Sequence, residues 1–78
     1  MYFVYAIYSE SRNYIYVGLT DIVERRLAEH NGGTNKTTKP YRLFRLIHTE
    51  SFRSRTEARA REVKLKSGYG KEFLKTLI

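Results

Sequence analysis

Tyr2-Phe3-Val4-Tyr5-Ala6-Ile7-Tyr8 and Tyr14-Ile15-Tyr16-Val17-Gly18-Leu19 are the two runs on which the fold turns. In the first, aromatic, aliphatic and β-branched side chains occupy both parities. A strand made from it is apolar on both faces and belongs in the middle of a sheet. The second run repeats that character after the polar stretch Ser9-Glu10-Ser11-Arg12-Asn13, so the pair reads as a β-hairpin. Gly18 closes it without a side chain, which suits a place where backbone must approach a ligand or a packed neighbour.

Downstream, Thr20 or Asp21 is expected to cap a helix of about eleven residues, with Asp21 and Glu24 at capping-box spacing and Gly32-Gly33 as the stop. Residues 33–42 hold the only proline, Pro40, and no apolar periodicity, and read as a basic loop suited to binding. Leu43 to Thr49 is a third strand candidate. Ser54 and Glu57 form a second capping box before a helix to about Lys66, which Gly68 and Gly70 are expected to break. A short final helix from Lys71 to Ile78 would dock Phe73, Leu74, Leu77 and Ile78 on the core. The order β-β-α-β-α-α predicts one α+β domain over residues 1–78, with a small three-stranded antiparallel sheet flanked by helices.

The chain has 78 residues and no cysteine, so sheet and helices must close a core without disulfide or thiolate–metal staples. Cysteine absence fits a cytoplasmic setting. No run has the length of a membrane span, and Met1 to Tyr8 lacks the features of a secretory signal. Fifteen Lys and Arg against eight Asp and Glu give a net charge of +7, a field that draws polyanions, nucleic acid foremost. Much of the excess lies between Arg53 and Lys66, where six basic residues face only Glu57 and Glu62.

Glu62 is the most diagnostic position. At 100° per residue it shares a face with Ala58 and Leu65, so a carboxylate falls inside the apolar stripe of a helix. Its charge needs compensation, either by an ion pair with Arg26 or another base, or by a hard divalent cation held through carboxylate and waters. Arg26 and His30 are four apart and share a helix face. Arginine's planar fork suits phosphate oxygens; His30 is read either as a solvated group at the helix end or as a proton acceptor. Tyr5 and Tyr16 share a sheet face only if the hairpin pairs with an odd sum of residue numbers, 21 placing them directly opposite, or if a bulge restores that parity. They are read as packing groups or as phenols beside a reacting water. Zinc-ligand spacing, a phosphate-binding glycine loop and a nucleophile elbow are all missing.

Phe3-Val4-Tyr5, Tyr16-Val17-Gly18, Arg26-Leu27 and Glu62 together resemble the signature of the GIY-YIG nuclease superfamily, most similar to its small standalone branch, related to the nuclease domain of the bacterial excision-repair endonuclease. Phe3 replaces a glycine and Val17 an isoleucine, and both tyrosines are kept. The resemblance implies a GIY-YIG-like fold and a metal-dependent DNA endonuclease of DNA repair or processing, leaving 5′-phosphate and 3′-hydroxyl ends. It further implies Glu62 as the ligand of Mg2+ or Mn2+, Arg26 as the phosphate-stabilising arginine, and Tyr5, Tyr16 and His30 as the groups around the attacking water. The late asparagine of larger members is missing, since Val63 to Ile78 contains none.

Two other functions compete: a non-cleaving nucleic-acid binding module that keeps the fold and basic face, and a structural component of a larger assembly. With no element long enough to read a duplex sequence by itself, the expected DNA is single-stranded or branched, with a protein partner as a possible targeting cue. Tyr14, Tyr41, Tyr69 and Phe44 are candidates to stack on unpaired bases.

Overall fold

The aromatic run becomes β1 (Tyr2–Ser9) in the computed structural model, which describes residues 1–78, and it does lie in the centre of the sheet. β2 (Tyr14–Thr20) and β3 (Arg45–Phe52) pair with it antiparallel in the order β2-β1-β3. Helices α1 (Val23–Asn31), α2 (Arg55–Lys66) and α3 (Gly68–Lys75) complete the order β-β-α-β-α-α.

Two cores explain why β1 needs apolar groups on both faces. Val4, Ala6 and Tyr8 pack with Ile15 and Val17 of β2 beneath Ala58 and Leu65 of α2 and Leu74 of α3. Tyr5 and Ile7 point the other way, toward Val23 of α1 and Phe44. At about 25 cal/mol per Å2 of apolar surface removed from water, sealing both faces of one strand is the main source of stability open to so short a chain.

The hairpin pairs with an odd sum, but the sum is 23: Tyr5 lies opposite Gly18, and Tyr16 opposite Ile7. Tyr5 and Tyr16 therefore share a face on the diagonal rather than directly across. Between β1 and β3 the register shifts at Ala6/Ile7, and Ile47 is the extra residue, turned into the α2-side core.

Several boundaries move from expectation. α1 begins at Val23 after an extended Ile22 and has no side-chain cap; Asp21 pairs instead with Arg25 at 2.7 Å, and the Thr20 hydroxyl accepts from the Ile22 N–H at 3.3 Å. A hydroxyl turn has taken the place of the capping box. The loop contains a 3-10 turn, Lys39–Tyr41, and β3 starts at Arg45 and runs to Phe52. Ser54 caps α2 as read, accepting from the Glu57 N–H at 3.1 Å. Gly68 and Gly70 lie in the first turn of α3, which Ser67 caps, and a Cβ on Gly70 would collide with the Leu65 backbone. α2 ends at Lys66 as expected, at an extended Ser67, and the glycines then permit a tight junction with α3, which starts at Gly68 rather than Lys71. Of the four expected docking residues only Leu74 is fully buried; Phe73, Leu77 and Ile78 keep about a third or more of their surface in solvent.

Gly18 shows the same constraint within the sheet. A Cβ there would stand 2.5 Å from Tyr5 Oη and 2.6 Å from its Cζ, because the Tyr5 ring lies across the glycine. Gly18→Ala is expected to cost about 1–3 kcal/mol, the usual scale for overpacking. Urea unfolding of the two proteins measures it, and equal midpoints would show that the ring does not depend on the glycine.

Candidate active site

The face of β1 that carries Tyr5 receives α1 and the segment leading into β3, and most of the predicted site residues gather there. Tyr5 and Tyr16 have ring centroids 6.3 Å apart, and the His30 ring stands 5.9 Å from Tyr5 and 4.9 Å from Tyr16. His30 is fully buried rather than solvated at the helix end. Nothing in the helical spacing of α1 announced this, because the cover comes from Phe44 and Thr38, which lie in the following loop.

A continuous hydrogen-bonded line runs through the cluster. Tyr5 Oη is 2.8 Å from His30 Nε2, and His30 Nδ1 is 2.7 Å from Thr38 Oγ1. Burial pushes the Tyr5 phenol up to about 12, with the nearby Arg26 guanidinium pulling it back and the charges of Tyr16 and Glu62 adding to the rise. Tyr5 is thus a neutral phenol at physiological pH. Burial also lowers the His30 pKa, helped by Arg26 and opposed by Glu29, so the imidazole is held in its neutral, proton-accepting form. The Tyr16 side chain is half-buried and makes no hydrogen bond within the protein, which leaves its hydroxyl to water.

Arg26 lies beside Tyr5 and is held by Glu29 of its own helix at 2.9 Å. It lines an open cleft with Arg25 and Arg55, the first two from α1 and the third from α2, with Asp21 and Glu29 among them. The cleft therefore joins the two helical layers past the end of β2. Arg55 makes no ion pair, so at least one guanidinium in the cleft has its full donor set free for an anion.

Glu62 comes from the opposite layer. It is buried along α2 with Ala58 and Leu65, as the helical spacing predicts. Its compensation is local: Oε1 takes Arg59 Nη1 at 2.7 Å and Oε2 takes Lys66 Nζ at 3.1 Å, and Arg26 is not a partner. Burial raises its pKa, but the two cations outweigh that and hold the carboxyl below its usual range. Its charge is felt at Tyr5, and that of Lys66, one turn on, at Tyr14, so the layers meet electrostatically around the β2 strand. One hard carboxylate with exposed, displaceable partners fits a magnesium-like ion, which commonly takes one or two protein carboxylates and keeps waters for the rest. No cluster of three or more His, Cys, Asp or Glu offers a richer cage.

Two residues escaped the sequence reading. Asn31 grips Phe44 in both directions, receiving its N–H at 2.6 Å and donating to its carbonyl at 3.1 Å. Thr38 supplies the far end of the Tyr5–His30 line. Thr38 lies in a loop without periodic signal, and the partner of Asn31, at the end of α1, depends on where that loop returns, so only the fold could single them out. The stacking candidates are largely spent: Phe44 is buried, and Tyr14 and Tyr41 stack on each other at 4.1 Å. Tyr69 alone is freely exposed, with Lys64 Nζ 5.9 Å from its ring.

The family model described as the GIY-YIG catalytic domain matches residues 1–75. A UPF0213 protein of Halobacterium salinarum is 45% identical over 67 residues, covering 85% of this chain and 86% of the relative. A UPF0213 protein of Staphylococcus haemolyticus is 39% identical over 66 residues, covering 83% and 80%. The solution NMR structure of a UPF0213 protein from Bacillus halodurans superimposes with a TM-score of 0.57 at 34% identity, covering 99% of this chain and 85% of that one.

The lowered pKa of His30 has a consequence for stability. The unfolded chain takes up a proton first as pH falls through the ordinary histidine range, so His30 withdraws stability there and has no such effect above it. Between about pH 7 and about pH 5, above most carboxylate titration, the urea midpoint is expected to fall in the wild type and to fall less in His30→Gln. Identical pH dependence in the two proteins would mean that His30 is not held neutral by its site.

Proposed function

The chain belongs to the GIY-YIG catalytic-domain family, and to the UPF0213 proteins within it, and on that premise we propose that it is a metal-dependent DNA endonuclease. The observation that carries the reading is the buried Tyr5 phenol hydrogen-bonded to a neutral histidine beside Arg26. A phenol with so high a pKa is a poor base alone. With an acceptor already in line it can take a proton from water while passing on its own.

In this reading water attacks the phosphorus, its proton goes to Tyr5 Oη, and the Tyr5 proton goes to His30 Nε2. The bond from phosphorus to the 3′ oxygen breaks, and that oxygen takes a proton from solvent, leaving 5′-phosphate and 3′-hydroxyl ends. Arg26, with its planar donor fork, balances charge that grows on the phosphate oxygens. Tyr16, with its hydroxyl open to water, orients the nucleophile. Mg2+ or Mn2+ held by Glu62 would supply Lewis-acid stabilisation of the scissile phosphate and leaving oxygen. The cleft lined by Arg25, Arg26 and Arg55 supports a DNA path beside these groups, and exposed Tyr69 near Lys64 offers a place for an unpaired base.

One observation favours a non-cleaving binding module instead: both Glu62 oxygens already sit in ion pairs within α2, as a structural carboxylate would. Labelled single-stranded, branched and duplex DNA incubated with magnesium, manganese or chelator separates the two. Cleavage is expected only with metal, to vanish in Glu62→Ala while binding in chelator survives, and to drop roughly 10²–10³-fold in kcat in Arg26→Ala, the scale for losing one charge-stabilising donor. Unchanged cleavage by Glu62→Ala would overturn the site; salt-sensitive binding without cutting would favour the binding module.

A further inference from the structure

We propose that Thr38 is a positioning residue that fixes His30 in its Nδ1–H tautomer, leaving Nε2 as the proton acceptor aimed at Tyr5. Its kinetic consequence rests on the nuclease reading above; the tautomer itself does not.

Donors and acceptors point there from both ends of the line. A threonine hydroxyl has one proton to donate and lone pairs to accept with, and the Asn35 carbonyl, 3.5 Å away, is the other protein group in reach of that proton. Turned toward that carbonyl, the hydroxyl leaves Oγ1 free to accept from His30 Nδ1–H across 2.7 Å. At the other end Tyr5 is 1% exposed, and its charged neighbour Arg26 has donors only. The Tyr5 O–H then has one acceptor within reach, His30 Nε2 at 2.8 Å. The opposite tautomer would turn Nε2–H onto Tyr5 Oη and leave the phenol proton buried without a partner, which folded proteins avoid. Tyr5 thus requires this tautomer, and Thr38 supplies the acceptor that its Nδ1–H needs.

Thr38 is itself fully buried, although its neighbours on either side, Thr37 and Lys39, are exposed. The 3-10 turn that follows it, and the Asn31 grip on Phe44 at the loop's far end, hold its hydroxyl against the ring. A threonine eight positions beyond the histidine thereby decides which ring nitrogen faces the phenol.

Ring 15N NMR of wild type, Thr38→Val and Thr38→Ser tests this directly, with amide spectra reporting the fold. The expected wild-type spectrum has His30 Nδ1 protonated and Nε2 bare; Thr38→Val mixes the tautomers and Thr38→Ser restores the wild-type pattern. With cleavable DNA, kcat is expected to fall about 10- to 100-fold in Thr38→Val with KM nearly unchanged, a part of what a positioned acid or base contributes, and to recover in Thr38→Ser. A wild-type His30 protonated on Nε2 overturns the proposal, as does a folded Thr38→Val with an unaltered ring spectrum. Should Thr38→Val not fold, Thr38→Ala, which also lacks the hydroxyl, takes its place in the same comparison. Should no DNA be cut by any variant, the nuclease reading fails while the nitrogen spectrum alone judges Thr38.

Discussion

Burial of β1 on both faces governs the rest of this molecule. A strand with Val4, Ala6 and Tyr8 on one side and Tyr5 and Ile7 on the other has to be covered twice. In a chain this short, the only material for the second cover is α1 and the loop beyond it, the first being made by α2 and α3. That division explains why the candidate site residues arrive from both sides: Tyr5, Tyr16, Arg26 and His30 from one layer, Glu62 from the other. It also sets how closely the layers can approach, since the Tyr5 ring fits only because Gly18 has no side chain.

The sequence was legible where one residue's environment follows from its own neighbours. Aromatic and β-branched residues on both parities marked the hairpin, Ser54 and Glu57 marked the start of α2, and the helical spacing of Ala58, Glu62 and Leu65 was enough by itself to place a carboxylate in a buried stripe. It was least legible where two options had similar local merit. Asp21 had the spacing of a cap but found Arg25, and the sum of 23 in the hairpin depended on a turn whose geometry Asn13, at positive φ, sets from outside the strands. His30 shows a deeper limit. Whether a histidine near a helix end is solvated or sealed depends on a loop that shares no periodicity with it.

Charge tells a similar story. The helix from Arg55 to Lys66 looked like a basic face, yet Arg59 and Lys66 are turned to Glu62, and Arg61 to Glu50, which also takes His48 at 2.7 Å. Much of the positive charge on that helix thus serves to hold two half-buried or buried carboxylates in their ionised form, against the desolvation that would protonate them. The net charge of the chain remains, but the cations free to meet a polyanion are fewer and more localised than composition implies.

The double grip of Asn31 on Phe44 joins the end of α1 to the entrance of β3, and Thr38 lies between those two anchor points. The segment behaves as a clasp: its opening would break three side-chain bonds and uncover His30 while leaving every rung of the β1–β2 ladder in place. The bonds that seal the cluster are thus separate from those that pair the strands, and local opening of such a segment can cost less than global unfolding. Two proteins sharing this sheet and this global stability can differ widely in the fraction of time the histidine is sealed, through changes confined to a dozen or so loop residues.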